Sequence, residues 1–108
     1  MMTGKDILEK KIAKRLKEHP ERALAIGTKV AVVLTGDDGG RWILDCSKEP
    51  ASVKKDAKSK AATTITMSGE NLVKISEGSM NAVSAFMFGK LKVEGDLNIA
   101  MKLGKILS

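Results

Sequence analysis

His19 is the only histidine of this chain and Cys46 the only cysteine. A hydrolytic triad needs a base held against a nucleophile, yet His19 precedes Pro20 in a break between helical patterns, and no Gly-x-Ser-x-Gly elbow occurs. A metal site needs clustered Cys, His or carboxylate ligands, and one Cys with one His 27 positions away is no cluster. The glycines offer no phosphate chemistry either. Gly36-Asp-Asp-Gly-Gly40 fits neither a dinucleotide fingerprint nor a phosphate loop, and its two aspartates repel phosphate. Gly89-Lys90 lacks the hydroxyl residue and the upstream glycine that a phosphate loop requires. The first is a hairpin turn and the second a helix stop entering a strand. No catalytic residue, metal or cofactor is expected.

Arginine is left as a chemical handle. Arg15 sits beside an apolar helical stripe, where a guanidinium can hold a carboxylate bidentately, although a solvated helix residue has the same pattern. Arg22, in the adjoining turn, is a second candidate. The net charge is +6, but sixteen of the nineteen basic residues are lysines, hydrated point charges whose first explanation is solvation. A basic face also favours anionic membranes by about 1 kcal/mol per well-placed lysine. Nucleic acid is not an expected partner: single-strand binders stack bases on exposed aromatics, and Trp42, Phe86 and Phe88 all stand at positions of apolar periodicity. Apolar runs are far shorter than the ~20 residues of a membrane span, and charge appears within five residues of the N-terminus. With a lone Cys46, these features lead to the expectation of a soluble cytoplasmic protein with no secretion signal.

The elements that must position these groups follow from periodicity. Leu8, Ile12 and Leu16 recur every fourth position across residues 4–18, an amphipathic helix with a narrow apolar stripe; a short helical turn over 21–26 follows. Val30, Val32 and Leu34 alternate with Ala31, Val33 and Thr35, so this strand is apolar on both faces and belongs near the middle of a sheet. After the Asp37–Gly40 turn, the returning strand puts Trp42, Leu44 and Cys46 on a helix-covered face and Arg41, Ile43 and Asp45 on a wetter one. Residues 47–62, with a short strand near Ser52–Lys55, form the most mobile connection. Thr63–Met67 is a strand, Ser68 caps a helix that brings Leu72 and Ile75 inward as far as Glu77, and Met80-Asn81 opens another short helix. Lys90–Glu94 alternates as a last strand, and Asp96 caps a final helix whose apolar residues spread over more than one side. Gly104 marks an early end to that helix. With four of six methionines in the second half and only three aromatics, the interior should be aliphatic and Met-rich.

Four segments, Glu9-Lys-Lys-Ile-Ala-Lys-Arg-Leu16, Arg41-Trp-Ile-Leu-Asp45, Thr63-Thr-Ile-Thr-Met67 and Phe86 through Leu103 with its Gly-Lys-Leu-Lys-Val and Ala-Met-Lys-Leu, follow one another at a characteristic spacing. In this they resemble the sterol carrier protein 2 family of lipid carriers over nearly the whole chain. The resemblance implies one α+β domain over 1–108, with about five mostly antiparallel strands, mixed pairing at the last strand, and helices on one face. It also implies an apolar tunnel between sheet and helices, lined by Ile12 and Leu16 of the first helix, by Val30, Val32, Trp42, Leu44 and Met67 of the sheet, and by Leu72, Ile75, Phe86 and Met101. A plain core would have the same pattern. The final helix with Leu103 and the Met80–Phe88 segment with Met87 form the implied gate, and Arg15 then meets a lipid carboxylate. Implied partners are a fatty acid, fatty acyl-CoA or sterol, transient contact with a membrane surface, and a lipid-metabolising enzyme to which the domain presents lipid. Family members often finish with a peroxisomal import tripeptide; this chain ends Ile106-Leu107-Ser108, so peroxisomal targeting is not carried over.

Overall fold

The computed structural model describes residues 2–37 and 39–107, so Asp38 of the expected hairpin turn and the terminal Ser108 lie outside the described residues. A long helix, α1, comes first, in three stretches that run on without a break: Gly4–Asp6, the π-helical Ile7–Ile12 and Ala13–Glu18. Thr3 and Asp6 close its N-terminus with a reciprocal capping box. Apolar residues at every fourth position drift by roughly 40° per step around an α-helix. The wider π turn offsets that drift, and Ile7, Leu8, Ile12 and Leu16 all end up buried. Pro20 then starts α2, Pro20–Ile26, and Gly27 ends it in the left-handed conformation.

The strands are β1 Lys29–Thr35, β2 Gly40–Asp45, β3 Ser52–Lys55, β4 Thr63–Ser68 and β5 Leu91–Gly95, in the spatial order β3-β2-β1-β4-β5. β1 holds the centre, as its doubly apolar pattern requires. The one parallel pair among the described residues is β1 with β4; β5 pairs antiparallel to β4, so the mixed pairing falls at the centre of the sheet and not at its last strand. Helix α3, Gly69–Glu77, starts on the Ser68 hydroxyl, which accepts from the Asn71 amide at 3.0 Å. Asn81 caps α4, Ala82–Met87, by accepting from the Val83 and Ser84 amides. The last helix, α5, runs over Leu97–Leu107, straight through Gly104. Its neighbours on both sides hold Gly104 in place despite its weak helical propensity.

One face of the sheet carries the helices. Trp42, Val32, Leu44 and Ile65 point into them and are fully buried. The Trp42 indole donates to the Glu9 carboxylate of α1 at 2.8 Å, which satisfies a buried N–H. Met67 is the one methionine buried among the described residues, so the core is aliphatic without being Met-rich. Cys46 is buried too, and desolvation, followed by the Asp45 charge, pushes its thiol up to about 11. It is an inert core residue.

The 47–62 connection, expected to be the loosest, is fastened to the sheet's other face. The Arg41 guanidinium donates to the carbonyls of Asp56 at 3.1 Å and Ser59 at 2.7 Å, and the Asp56 amide donates back to Arg41. The Asp56 carboxylate in turn accepts from the Ser59 hydroxyl and from the Ser59 and Lys58 amides. These bonds, with the Arg41 charge nearby, pull its pKa down to about 2. A depressed carboxylate stabilises the fold above its unfolded pKa, and the contribution disappears as pH falls through the folded one. Asp56→Asn should therefore lose less stability than the wild type between pH about 4 and about 2, in urea unfolding followed across that range.

Candidate functional site

The inner face of the sheet is roofed unevenly. Over β2 and β3, α1 packs down through Leu8, Ile12 and Leu16, and α3 brings in Leu72 and Ile75; with Val30, Val32, Trp42, Leu44, Met67 and Leu103 they form one continuous solid core. Nine of the residues expected along a tunnel, together with Leu103 of the expected gate, thus belong to this core, and none of them is on the wall of the cavity that opens over β4 and β5. Periodicity reports which side chains point inward, and these do; it cannot report that their neighbours meet them.

Over β4 and β5 the layers part. A cavity of about 470 Å³ lies there, with Ile65, Leu91 and Val93 as its floor. Ala82, Val83, Phe86 and Met87 of α4 form one wall, and Leu97, Ala100, Met101, Gly104 and Leu107 of α5 form the other. Gly78, Met80 and Asn81 close one end. Its volume falls within the ~300–1,000 Å³ typical of small-molecule sites. Four of the expected site residues therefore line it: Met80, Phe86, Met87 and Met101. Three of these are methionines, so the flexible thioethers sit at the cavity and not in the core.

The α5 wall was legible in part. Positions 97, 100, 101, 104 and 107 follow helical spacing and form the second apolar side noted in the sequence, while Leu103 and Ile106 face the core. Leu91 and Val93, the inward half of an alternating strand, were missed as wall residues, as were Ile65, Val83 and Leu97. A Cβ built on Gly104 would meet only the Ala82 Cβ, at 3.5 Å, so the bare backbone at this point is what widens the space between α4 and α5.

Polar groups on the wall are few. Lys105 is its one charged side chain among the described residues, and Asn81 carries its side-chain amide. Arg15 is elsewhere. Its guanidinium donates to the Ile106 carbonyl at 2.7 Å, covering the C-terminal end of α5 where a positive charge is favoured. A ligand carboxylate was expected at Arg15, and the structure sets its guanidinium against the end of α5, off the cavity wall. Arg22 is exposed on α2 and is not on the cavity wall either. A second hollow of about 450 Å³, between α1 and the β3 edge, is bordered by Glu9, Lys17, Lys48, Glu49 and Lys54 and lacks an apolar wall of this kind.

A profile of the SCP-2 sterol transfer family matches residues 9–108. The chain belongs to that family. It is 37% identical over 102 residues to Sterol carrier protein 2 of Rattus norvegicus, covering 91% of this chain and 19% of that protein. It is 40% identical over 76 residues to Hydroxysteroid dehydrogenase-like protein 2 of Xenopus laevis, covering 69% of this chain and 18% of that protein. The chain thus spans about a fifth of the length of these curated relatives. The fold also superposes on the solution structure of Sterol Carrier Protein-2 from Aedes aegypti in complex with palmitate, with a TM-score of 0.78 at 23% identity, over 100% of this chain and 97% of that one.

Because Arg15 holds a helix end, Arg15→Ala should cost about 1–2 kcal/mol of stability, read from the urea midpoint. Gly104→Ala should act in the opposite direction, raising stability by about 0.5–1 kcal/mol, since an alanine fits without a clash and propensity favours it.

Proposed function

We propose that the protein is a reversible, non-catalytic lipid carrier that takes one acyl chain or sterol into the cavity between α4, α5 and the β4–β5 edge. The observation that supports this is the cavity wall, apolar almost throughout and built from methionines and a bare glycine backbone. Burying sixteen carbons is worth at most about 13 kcal/mol before association costs, whereas one charge-assisted hydrogen bond nets ~1.5–3. Chain burial dominates the affinity. A single methylene discriminates weakly and thioethers adapt, so specificity spans fatty acids, fatty acyl-CoA esters and sterols. Lys105 is the wall residue suited to a carboxylate or phosphate end. The palmitate bound by the Aedes aegypti protein, which shares this fold, is a guest of that class.

Cargo moves between membranes or to an enzyme, and a cytoplasmic location suits a lone, reduced Cys46. No helix among the described residues is long and apolar enough to cross a membrane. A second reading, in which the domain presents lipid to a catalytic partner, draws on the dehydrogenase-like relative, of which the matched region is less than a fifth.

Gentle purification followed by native mass spectrometry should reveal lipid adducts, and palmitate should raise the melting temperature by several degrees. A bare-protein mass with no melting shift would sink the proposal. Gly104→Leu, which projects a side chain between the cavity walls, should weaken displacement of a fluorescent acyl probe by about tenfold or more, while Arg15→Ala leaves it unchanged.

A further inference from the structure

Eight large apolar side chains are exposed among the described residues, and six of them, Val83, Phe86, Met87, Phe88, Leu97 and Met101, belong to the two segments that frame the cavity mouth. Such clustering is unusual for isolated surface hydrophobics. The pair at the end of α4 stands out most: Met87 is 76% and Phe88 80% exposed. Met87 lines the cavity and Phe88 does not, so Phe88 is exposed without serving the interior.

Charge on these segments is one-sided. Residues 79–93 and 97–107 contain Lys90, Lys92, Lys102 and Lys105 and no aspartate or glutamate. Lys90 follows the exposed pair after Gly89, and Lys105 lies on the cavity wall. Lys102 reaches back to donate to the Ala25 carbonyl at 3.1 Å, and Lys92, opposite Thr66, alternates away from the cavity floor. The neighbouring carboxylates fall outside both segments: Glu94 alternates away from Val93 of the floor, Asp96 caps the Asn98 amide, and Glu77 ends α3.

We propose that this mouth is a membrane-docking surface for anionic bilayers, with Phe88 and Met87 entering the headgroup boundary and Lys90 and Lys105 lying against lipid phosphates. An exposed aromatic and thioether pair beside cations is the composition that interfacial binding requires. Docked in this way, the cavity faces the bilayer, and a lipid passes from one to the other without crossing water. The inference rests on the carrier reading for its purpose and on the exposed pair and the one-sided charge for its location.

The test is flotation of the whole protein with phosphatidylcholine vesicles, with and without phosphatidylserine, alongside acyl-probe binding in vesicle-free solution. Phe88→Glu is the informative variant because Phe88 is exposed and off the cavity wall; Leu24→Glu, an exposed apolar position on α2 outside both segments, is the control. The wild type should float with the anionic vesicles and be released by salt. Phe88→Glu should reduce flotation by about tenfold or more with probe affinity unchanged, and Leu24→Glu should behave as the wild type. A wild type that ignores anionic vesicles at low salt, or a Phe88→Glu variant that floats as well as the wild type, overturns the proposal. So does a wild-type dimer that Phe88→Glu dissociates while flotation persists, which would assign the face to a second copy. Selective loss of flotation in Phe88→Glu, in a protein that takes up no acyl probe, supports the docking surface and removes the carrier reading alone.

Discussion

A roof shorter than its floor is the constraint on which the rest of the structure depends. α4 has six residues, about 9 Å of helix, while the five residues of β5 beneath it extend roughly 17 Å. No choice of side chains on so short a helix can cover that strand, and α5 has to share the task while also packing its other side on the core. The void between them follows from segment lengths before it follows from residue identity. Methionines and a glycine then keep it open and adaptable.

The opposite half of the sandwich is held by contacts that the charge count conceals. Three cationic side chains reach across to the C-terminal carbonyls of neighbouring helices: Lys11 to Ser76 of α3, Arg15 to Ile106 of α5 and Lys102 to Ala25 of α2. Each satisfies an acceptor left over at a helix end and places positive charge where the helix dipole favours it. The long helices are thereby tied to one another over the solid core, while α4 contributes no such tie among the described residues. A firm half and a yielding half in one small domain is an arrangement suited to admitting a guest without losing the fold.

Much of this was readable from periodicity. The central place of β1, the inward face of Trp42 and Leu44, the caps at Ser68 and Asn81 and the second apolar side of α5 are all local patterns, and local patterns survive folding. The location of the void was not readable in the same way. Ile12 and Leu72 have the same inward signature as Met101, and only the packing of distant elements makes the first two core and the third wall. The contact of Arg15 with α5 was hidden for a related reason: Ile106 is 91 positions away in sequence. The binding of the 47–62 connection by Arg41 is equally non-local, and composition alone made that stretch look free.

The π-helical stretch of α1 sets a limit on how this chain can change. Between Ile7 and Ile12 the wider turn absorbs one residue more than a regular helix would, which keeps Leu8 and Leu16 in phase on the core and Arg15 in phase with α5. Removing a single residue from that stretch would restore a regular helix with both flanks still in phase, whereas removing one from the regular turns beside it would rotate one flank by roughly 100° relative to the other. Outside its π-helical stretch, the first helix can gain or lose a residue only by detaching either the core or the last helix.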